Sequence, residues 1–216
     1  MSFEQELEGL LPPDLPHRER VVKLGARHLD LIVEANQVLN LTRIVGERDA
    51  AIKHVLDSVL PWRHFAGARL VVDAGTGAGL PGIPLALVLP ETEFVLLESI
   101  QKKTRFVESA IEKLGLPNVT ALPLRVEDWL KENQVDVITA RAMAPLERAI
   151  PLLSAGLKAG ARAILYKGPD VTKEMDEAAI EIRKRRVTVR EIDRYDLPDN
   201  SGTRTLIEVV QGKQDA

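Results

Sequence analysis

Glycines at 75, 77, 79 and 82 follow an acid, Asp73, that closes the apolar run Leu70-Val71-Val72. The run reads as a short buried strand. Proline at 81 or 84 suits the first turn of a helix, where a missing N–H costs little. Strand, glycine loop and helix open a nucleotide-binding α/β unit, in which main chain can come close to a ligand. A second apolar run, Phe94–Leu97, ends on Glu98, which could accept hydrogen bonds from a ribose diol.

Charge separates the candidate ligands. Gly77-Ala-Gly-Leu-Pro-Gly82 fits the dinucleotide pattern G-x-G-x-x-G. A carboxylate at 73, however, would repel a pyrophosphate seated at the helix start. S-adenosylmethionine has no phosphate; it carries an ammonium and a sulfonium, which an acid at the strand end suits. NAD would use Glu98 equally well, so the discrimination rests on Asp73. The expected cofactor is S-adenosylmethionine, with Asp73, Gly75, Gly77 and Glu98 around it. A tight turn with a solvated acid is the alternative.

These residues need a scaffold. Val21 to Leu39 carries one apolar face at helical spacing, and Asp49 to Leu60 reads as a second helix closed by Pro61. Met1–Leu11 is acidic and weakly amphipathic. The first 66 residues therefore form a helical extension packed on the core, and 67–216 a methyltransferase domain. From Leu70 onward strands are expected at 70–74, 93–98, 118–122, 135–140, 161–167, 187–193 and 204–210. Helices are expected at 82–89, 101–115, 124–132, 145–157 and 171–184. Such alternation implies a mostly parallel sheet covered on both faces. The stretch Asp196–Gly202 joins the last two strands without a helix, which makes the final strand antiparallel. Seven strands of this kind match the Rossmann-like class I S-adenosylmethionine-dependent methyltransferase fold.

Ligands of open α/β sheets sit beyond the carboxyl ends of the strands. The rim so defined holds Asp73–Gly79, Glu98, Val126-Glu127, Arg141 and Lys167. Gly75 and Leu80 would flank a methionine moiety, and Val126 and Glu127 would face an adenine. Glu127 could equally be ordinary negative charge at a helix start. Arg141 could meet an RNA phosphate or a guanine O6, or it could be a structural ion pair with Asp136 or Glu147. Lys167 precedes Gly168-Pro169 and is expected on a loop. His54 and Asp57, three apart, share a helix face; they could orient Arg141 or form a surface hydrogen bond. Asn40 reads as a helix C-cap.

The stretch Asp73-Ala-Gly-Thr-Gly-Ala-Gly-Leu-Pro-Gly-Ile-Pro84 resembles the motif of the glucose-inhibited division protein B family, the 16S ribosomal RNA guanine-N7 methyltransferases. Asn40-Leu41-Thr42, His54-x-x-Asp57-Ser58, Arg125-Val126-Glu127, Ala140-Arg141-Ala142 and Lys167-Gly168 also match, in the family's order, between Val38 and Val210. The resemblance implies methylation of guanine N7 in 16S ribosomal RNA, with that RNA or the small subunit as partner. It also implies that Gly75, Leu80, Val126, Glu127 and Arg141 bind the cofactor.

Guanine N7 has an exposed lone pair and needs no deprotonation, so no catalytic base is expected; Arg141 is the residue placed to assist. Contacts to RNA are expected from Arg43, Lys102, Lys103, Arg125 and Lys167. Lys102, Lys103 and Arg105 open a helix, where cations are disfavoured unless an anion binds. The run Arg183–Arg186 reads as a solvated face.

The chain has 216 residues, no cysteine and a net charge of −3. It can carry neither a disulfide nor a thiolate metal site, and no His/Asp/Glu cluster has metal-ligand spacing. RNA must be met by a local basic face. Aromatic residues make up 4%, too few for an evident base-stacking platform. A cytoplasmic monomer with no membrane association is expected. Methylation of a small molecule or protein would use the same cofactor residues, and an NAD-dependent oxidoreductase or a non-enzymatic binding module is a further alternative.

Overall fold

The computed structural model describes residues 1–212; the last four residues of the expected 67–216 domain lie outside them. Helix α1 (Phe3–Leu10) opens with a capping box: Gln5 N–H donates to Ser2 Oγ at 3.3 Å and Ser2 N–H to Gln5 Oε1 at 3.0 Å. Phe3 and Leu7 are buried. The weak amphipathicity of this stretch gives no helix by itself, although Ser-x-x-Gln is the signal for one. Helix α2 (Arg18–Leu39) ends at Asn40, whose φ of 49° is the left-handed cap expected.

The expected 49–60 helix is not uniform. Regular turns α3 (Glu47–Ala50) and α4 (Asp57–Val59) flank a π-wound segment, Ala51–Leu56. There Asp57 N–H reaches back to Ile52 O, a wide turn that is frequent at functional sites. A 3-10 turn at Trp62–His64 leads to the sheet.

The sheet comprises β1 (Leu70–Ala74), β2 (Glu93–Leu97), β3 (Val119–Leu122), β4 (Val137–Arg141), β5 (Arg162–Lys167), β6 (Val187–Asp196) and β7 (Thr203–Gln211). Their order is β3-β2-β1-β4-β5-β7-β6. Strands β1 to β5 pair in parallel, and β7 runs antiparallel to both β5 and β6. This is the seven-stranded α/β arrangement expected, with the final strand inserted between β5 and β6 rather than at the edge.

Alternate residues serve opposite faces. Val71, Phe94 and Leu96 join one core with α2, α5 (Gly82–Val88) and α6 (Gln101–Leu114); Val72, Leu97 and Ile138 join the other with α8 (Leu146–Lys158). The short helix α7 (Val126–Trp129) follows β3, and α9 (Val171–Glu177) and α10 (Ala179–Arg185) follow β5. The strand order reverses between β1 and β4, so the crevice opens beyond Ala74 and Arg141.

Candidate functional site

Two adjoining cavities lie at that crevice. One of about 230 Å³ is bordered by Gly75, Glu98, Arg125, Val126 and Glu127. The other, of about 600 Å³, is bordered by Gly77, Leu80, Lys103, Arg141, Lys167 and Arg204, among others. Gly75, Glu98, Ala142 and Met143 belong to both. The structure thus brings together Gly75, Gly77, Leu80, Glu98, Val126, Glu127 and Arg141 at the rim.

Glycine is used differently along the loop. Gly75 has φ +73°, and a Cβ there would meet no protein atom within 4 Å, so its main chain borders the open cavity. At Gly82 a Cβ would stand 2.2 Å from Leu96 Cδ2 and 2.9 Å from Asp73 Oδ2. Helix α5 therefore starts hard against β2, close enough for Gly82 N–H to donate to Asp73 Oδ2 at 2.9 Å.

Asp73 departs from expectation. It borders neither cavity and is 1% exposed. Thr76 Oγ1 donates to Oδ2 at 2.6 Å, while Oδ1 has no partner. The carboxylate braces the glycine loop from behind, because β1 carries it inside the sheet. Burial pushes its pKa up to about 6 against the opposing bonds from Thr76 and Gly82. Glu98 does border the cavities. Its Oε1 accepts from Ile100 N–H at 2.8 Å, and Oε2 is not spent on that bond.

Arg141 is the last residue of β4. Its Nη1 donates to Lys53 O at 2.6 Å, Ser58 Oγ at 3.3 Å and Asp57 Oδ2 at 3.4 Å. All three bonds use one nitrogen, so Nε and Nη2 remain for a ligand. The acid beside it is Asp57, neither Asp136 nor Glu147; Asp136 instead accepts from the Arg69 and Leu70 N–H groups.

His54 and Asp57 are both buried, which removes the surface hydrogen-bond reading, and they part company. His54 Nε2 lies 3.1 Å from Thr42 Oγ1. Asp57, fully buried, takes Arg204. Burial, with Arg141 nearby, lowers the His54 pKa to about 4. His28 Nε2 lies 2.9 Å from Ala78 O, tying α2 to the glycine loop, and burial lowers its pKa to about 4 as well.

Of the expected RNA contacts, Arg43, Lys102 and Arg125 are exposed and Lys103 borders the larger cavity. Lys167 lies within the strand expected at 161–167 and not on a loop. It ends β5, is 9% exposed, and holds Glu174 at 2.7 Å and Ala144 O at 3.2 Å. Its charge is therefore already answered. Among the described residues no group of His, Asp or Glu could hold a metal, and no helix is long and apolar enough to cross a membrane.

A family model described as rRNA small subunit methyltransferase G matches residues 23–201. The chain belongs to the rRNA small subunit methyltransferase G family. A relative of that name from Solibacter usitatus is 62% identical over 209 residues, covering 97% of this chain and 100% of its own. One from Vibrio vulnificus is 33% identical over 208 residues, covering 95% and 96%. Among solved structures, an O-methyltransferase from Streptomyces achromogenes in complex with SAM superposes with TM-score 0.59 at 17% identity, over 86% of this chain and 90% of its own. Magnesium protoporphyrin IX methyltransferase from Synechocystis gives 0.56 at 18%, over 86% and 97%. These likenesses show the class I methyltransferase fold.

Within this rRNA small subunit methyltransferase G family member, Arg204, Tyr166 and Tyr195 border or brace the site without any motif to mark them. Tyr166 Oη donates to Ser58 O at 2.8 Å and Tyr195 Oη to Asp57 O at 3.1 Å. Arg204 reaches the rim because β7 runs backwards: Thr205 pairs with Lys167 at the end of β5. The expected hairpin already places the start of β7 at the carboxyl end of the parallel strands. That is the signal the sequence offers for it.

Proposed function

We propose that this chain transfers the methyl group of S-adenosylmethionine to N7 of a guanine in 16S ribosomal RNA. The observation that carries the reading is the pair of continuous cavities sharing Gly75 and Glu98, with Arg141 on the wall of the larger. Gly75, Gly77 and Leu80 would seat the methionine end. Glu98 offers Oε2 to the ribose, and Val126 and Glu127 border the adenine position. Asp73 holds the loop that makes this seat.

Bound S-adenosylmethionine supplies a methyl group already activated by its sulfonium. The chain's own task is alignment. Guanine N7 presents a lone pair, so no proton has to leave before attack. The buried histidines are held neutral and bonded to Ala78 and Thr42, in keeping with a site that works by orientation and exclusion of water. Arg141, with Nε and Nη2 uncommitted, can donate to O6 or to a phosphate and leave N7 free. Arg43, Lys102, Lys103 and Arg125 would meet the RNA backbone. The helices of residues 1–66 act as a cap that fixes Arg141. A cytoplasmic monomer fits this role.

The test is incubation of small ribosomal subunits from a strain lacking the protein with labelled S-adenosylmethionine, followed by mapping of the labelled nucleotide. Label on guanine N7 is expected. Label only on protein or on a small molecule overturns the reading.

A further inference from the structure

The foot of the sheet, opposite the cofactor crevice, carries a second cationic concavity. Its lining is Lys158, Lys184, Arg185, Arg186 and Gln211. Lys158 ends α8, the three others of the cluster end and follow α10, and Gln211 ends β7. Chain order separates Lys158 from Arg186; the packing of α8 on α10 brings them together around a cleft of about 830 Å³. Lys158, Lys184 and Arg186 are exposed. The acid on α10 beside them is Glu181, shared at 3.2 Å by Lys184 and by Arg185. Among the described residues Lys158 and Arg186 enter no ion pair.

Cations at helix C-termini balance the helix dipole, and one per helix would do that. Four around one concavity, on a chain whose net charge is −3, exceed that need. From Arg204 at the rim to Gln211 at the cleft, β7 advances seven residues, roughly 24 Å at about 3.4 Å each. A ligand touching both ends must be long and anionic.

We infer that this cleft is a second docking site for the phosphate backbone of the substrate RNA, remote from the methylated base. The inference rests on the RNA-methylating reading above. A substrate too short to span the distance from crevice to foot reaches only the rim; a large folded RNA reaches both.

The experiment uses the full chain and its variant Lys158→Gln/Lys184→Gln/Arg186→Gln, none of which borders the crevice. Methylation is followed on small ribosomal subunits, on protein-free 16S RNA, and on the shortest RNA fragment that the wild type still methylates. On the two large substrates KM is expected to rise about tenfold at physiological salt. The slope of log affinity against log salt should become shallower by about two to three, near one for each phosphate that is no longer neutralised. Turnover at saturation, and all parameters on the short fragment, should stay unchanged. An unaltered salt slope on 16S RNA overturns the inference, as does an equal loss on the short fragment. Loss on intact subunits alone also overturns it, because the cleft would then meet ribosomal protein. Failure of the wild type to label any RNA would instead reject the parent reading.

Discussion

Arg204 grips Asp57 with two donors, Nε to Oδ1 at 2.9 Å and Nη2 to Oδ2 at 2.7 Å. Asp57 is fully buried and also takes Arg141 Nη1 at 3.4 Å. One carboxylate thus joins the helical cap, β4 and β7, and answers two guanidinium groups beside the crevice. Removing one member of a buried ion pair leaves uncompensated charge and costs about 3–5 kcal/mol. Asp57→Asn is therefore expected to lower unfolding free energy by about that much in urea titration. It should also weaken cofactor binding by calorimetry, since Arg141 loses its bearing. A variant as stable as wild type would remove Asp57 from this role.

Glycines 75 and 82 should fail in different ways. Gly82→Ala drives a methyl into Leu96 and the Asp73 carboxylate, and overpacking of this kind costs about 1–3 kcal/mol. Thermal unfolding should show it without any ligand. Gly75→Ala meets open space, and its cost is that of a left-handed backbone, about 1–2 kcal/mol. Its methyl, however, would stand beside the cavities proposed for the cofactor. Affinity for S-adenosylmethionine should fall at least tenfold while the fold persists. Equal cofactor binding by Gly75→Ala and wild type would show that the loop does not face the ligand.

These contrasts mark what sequence can and cannot convey. The glycine loop, the strand-end acids and the hairpin are local patterns, and each sits where the chain order puts it. Orientation is not local. Asp73 ends an apolar run either way, but only the sheet decides that its carboxylate turns behind the loop. Lys167 precedes Gly-Pro and looks like a loop residue, yet β5 extends through it and presents it to Glu174. Asp57 and Arg204 are 147 residues apart, and their pairing follows from the antiparallel β7, so no spacing rule finds it.

Acid should destabilise the protein through its histidines. His28 and His54 have folded pKa values lowered from 6.5 to about 4. The unfolded chain thus binds protons more tightly, and the stability they confer, present above pH 6.5, is lost as pH falls towards 4. Each contributes up to about 3 kcal/mol across that window. Asp73 works the other way: raised from 3.8 to about 6, it favours the fold at low pH and loses that contribution as pH rises through 6. The two histidines outweigh the one acid, so urea stability should fall between pH 6.5 and 4. Asp73→Asn should steepen the fall and His28→Gln should flatten it. A profile unchanged by His28→Gln would mean that this imidazole takes up its proton in the fold as readily as in the unfolded chain.

Glu174 should act as a counter-ion that competes with RNA. Its carboxylate stands 2.7 Å from the Lys167 ammonium, inside the larger cavity where a substrate phosphate would lie. Both side chains are partly shielded, at 10% and 26% exposure, so the pair is screened less by salt than a surface pair. A phosphate approaching Lys167 must displace Glu174 or be repelled by it. Glu174→Gln keeps the shape and removes the charge. RNA affinity at low salt is then expected to rise several-fold, and the salt slope to steepen by about one, as Lys167 becomes a full phosphate partner. Glu174→Gln combined with Lys167→Gln should erase the gain. If the single variant binds RNA no better than wild type, Lys167 is a structural cation that holds α9 to β5, and the phosphate contacts at the crevice fall to Arg43, Lys102, Lys103 and Arg125.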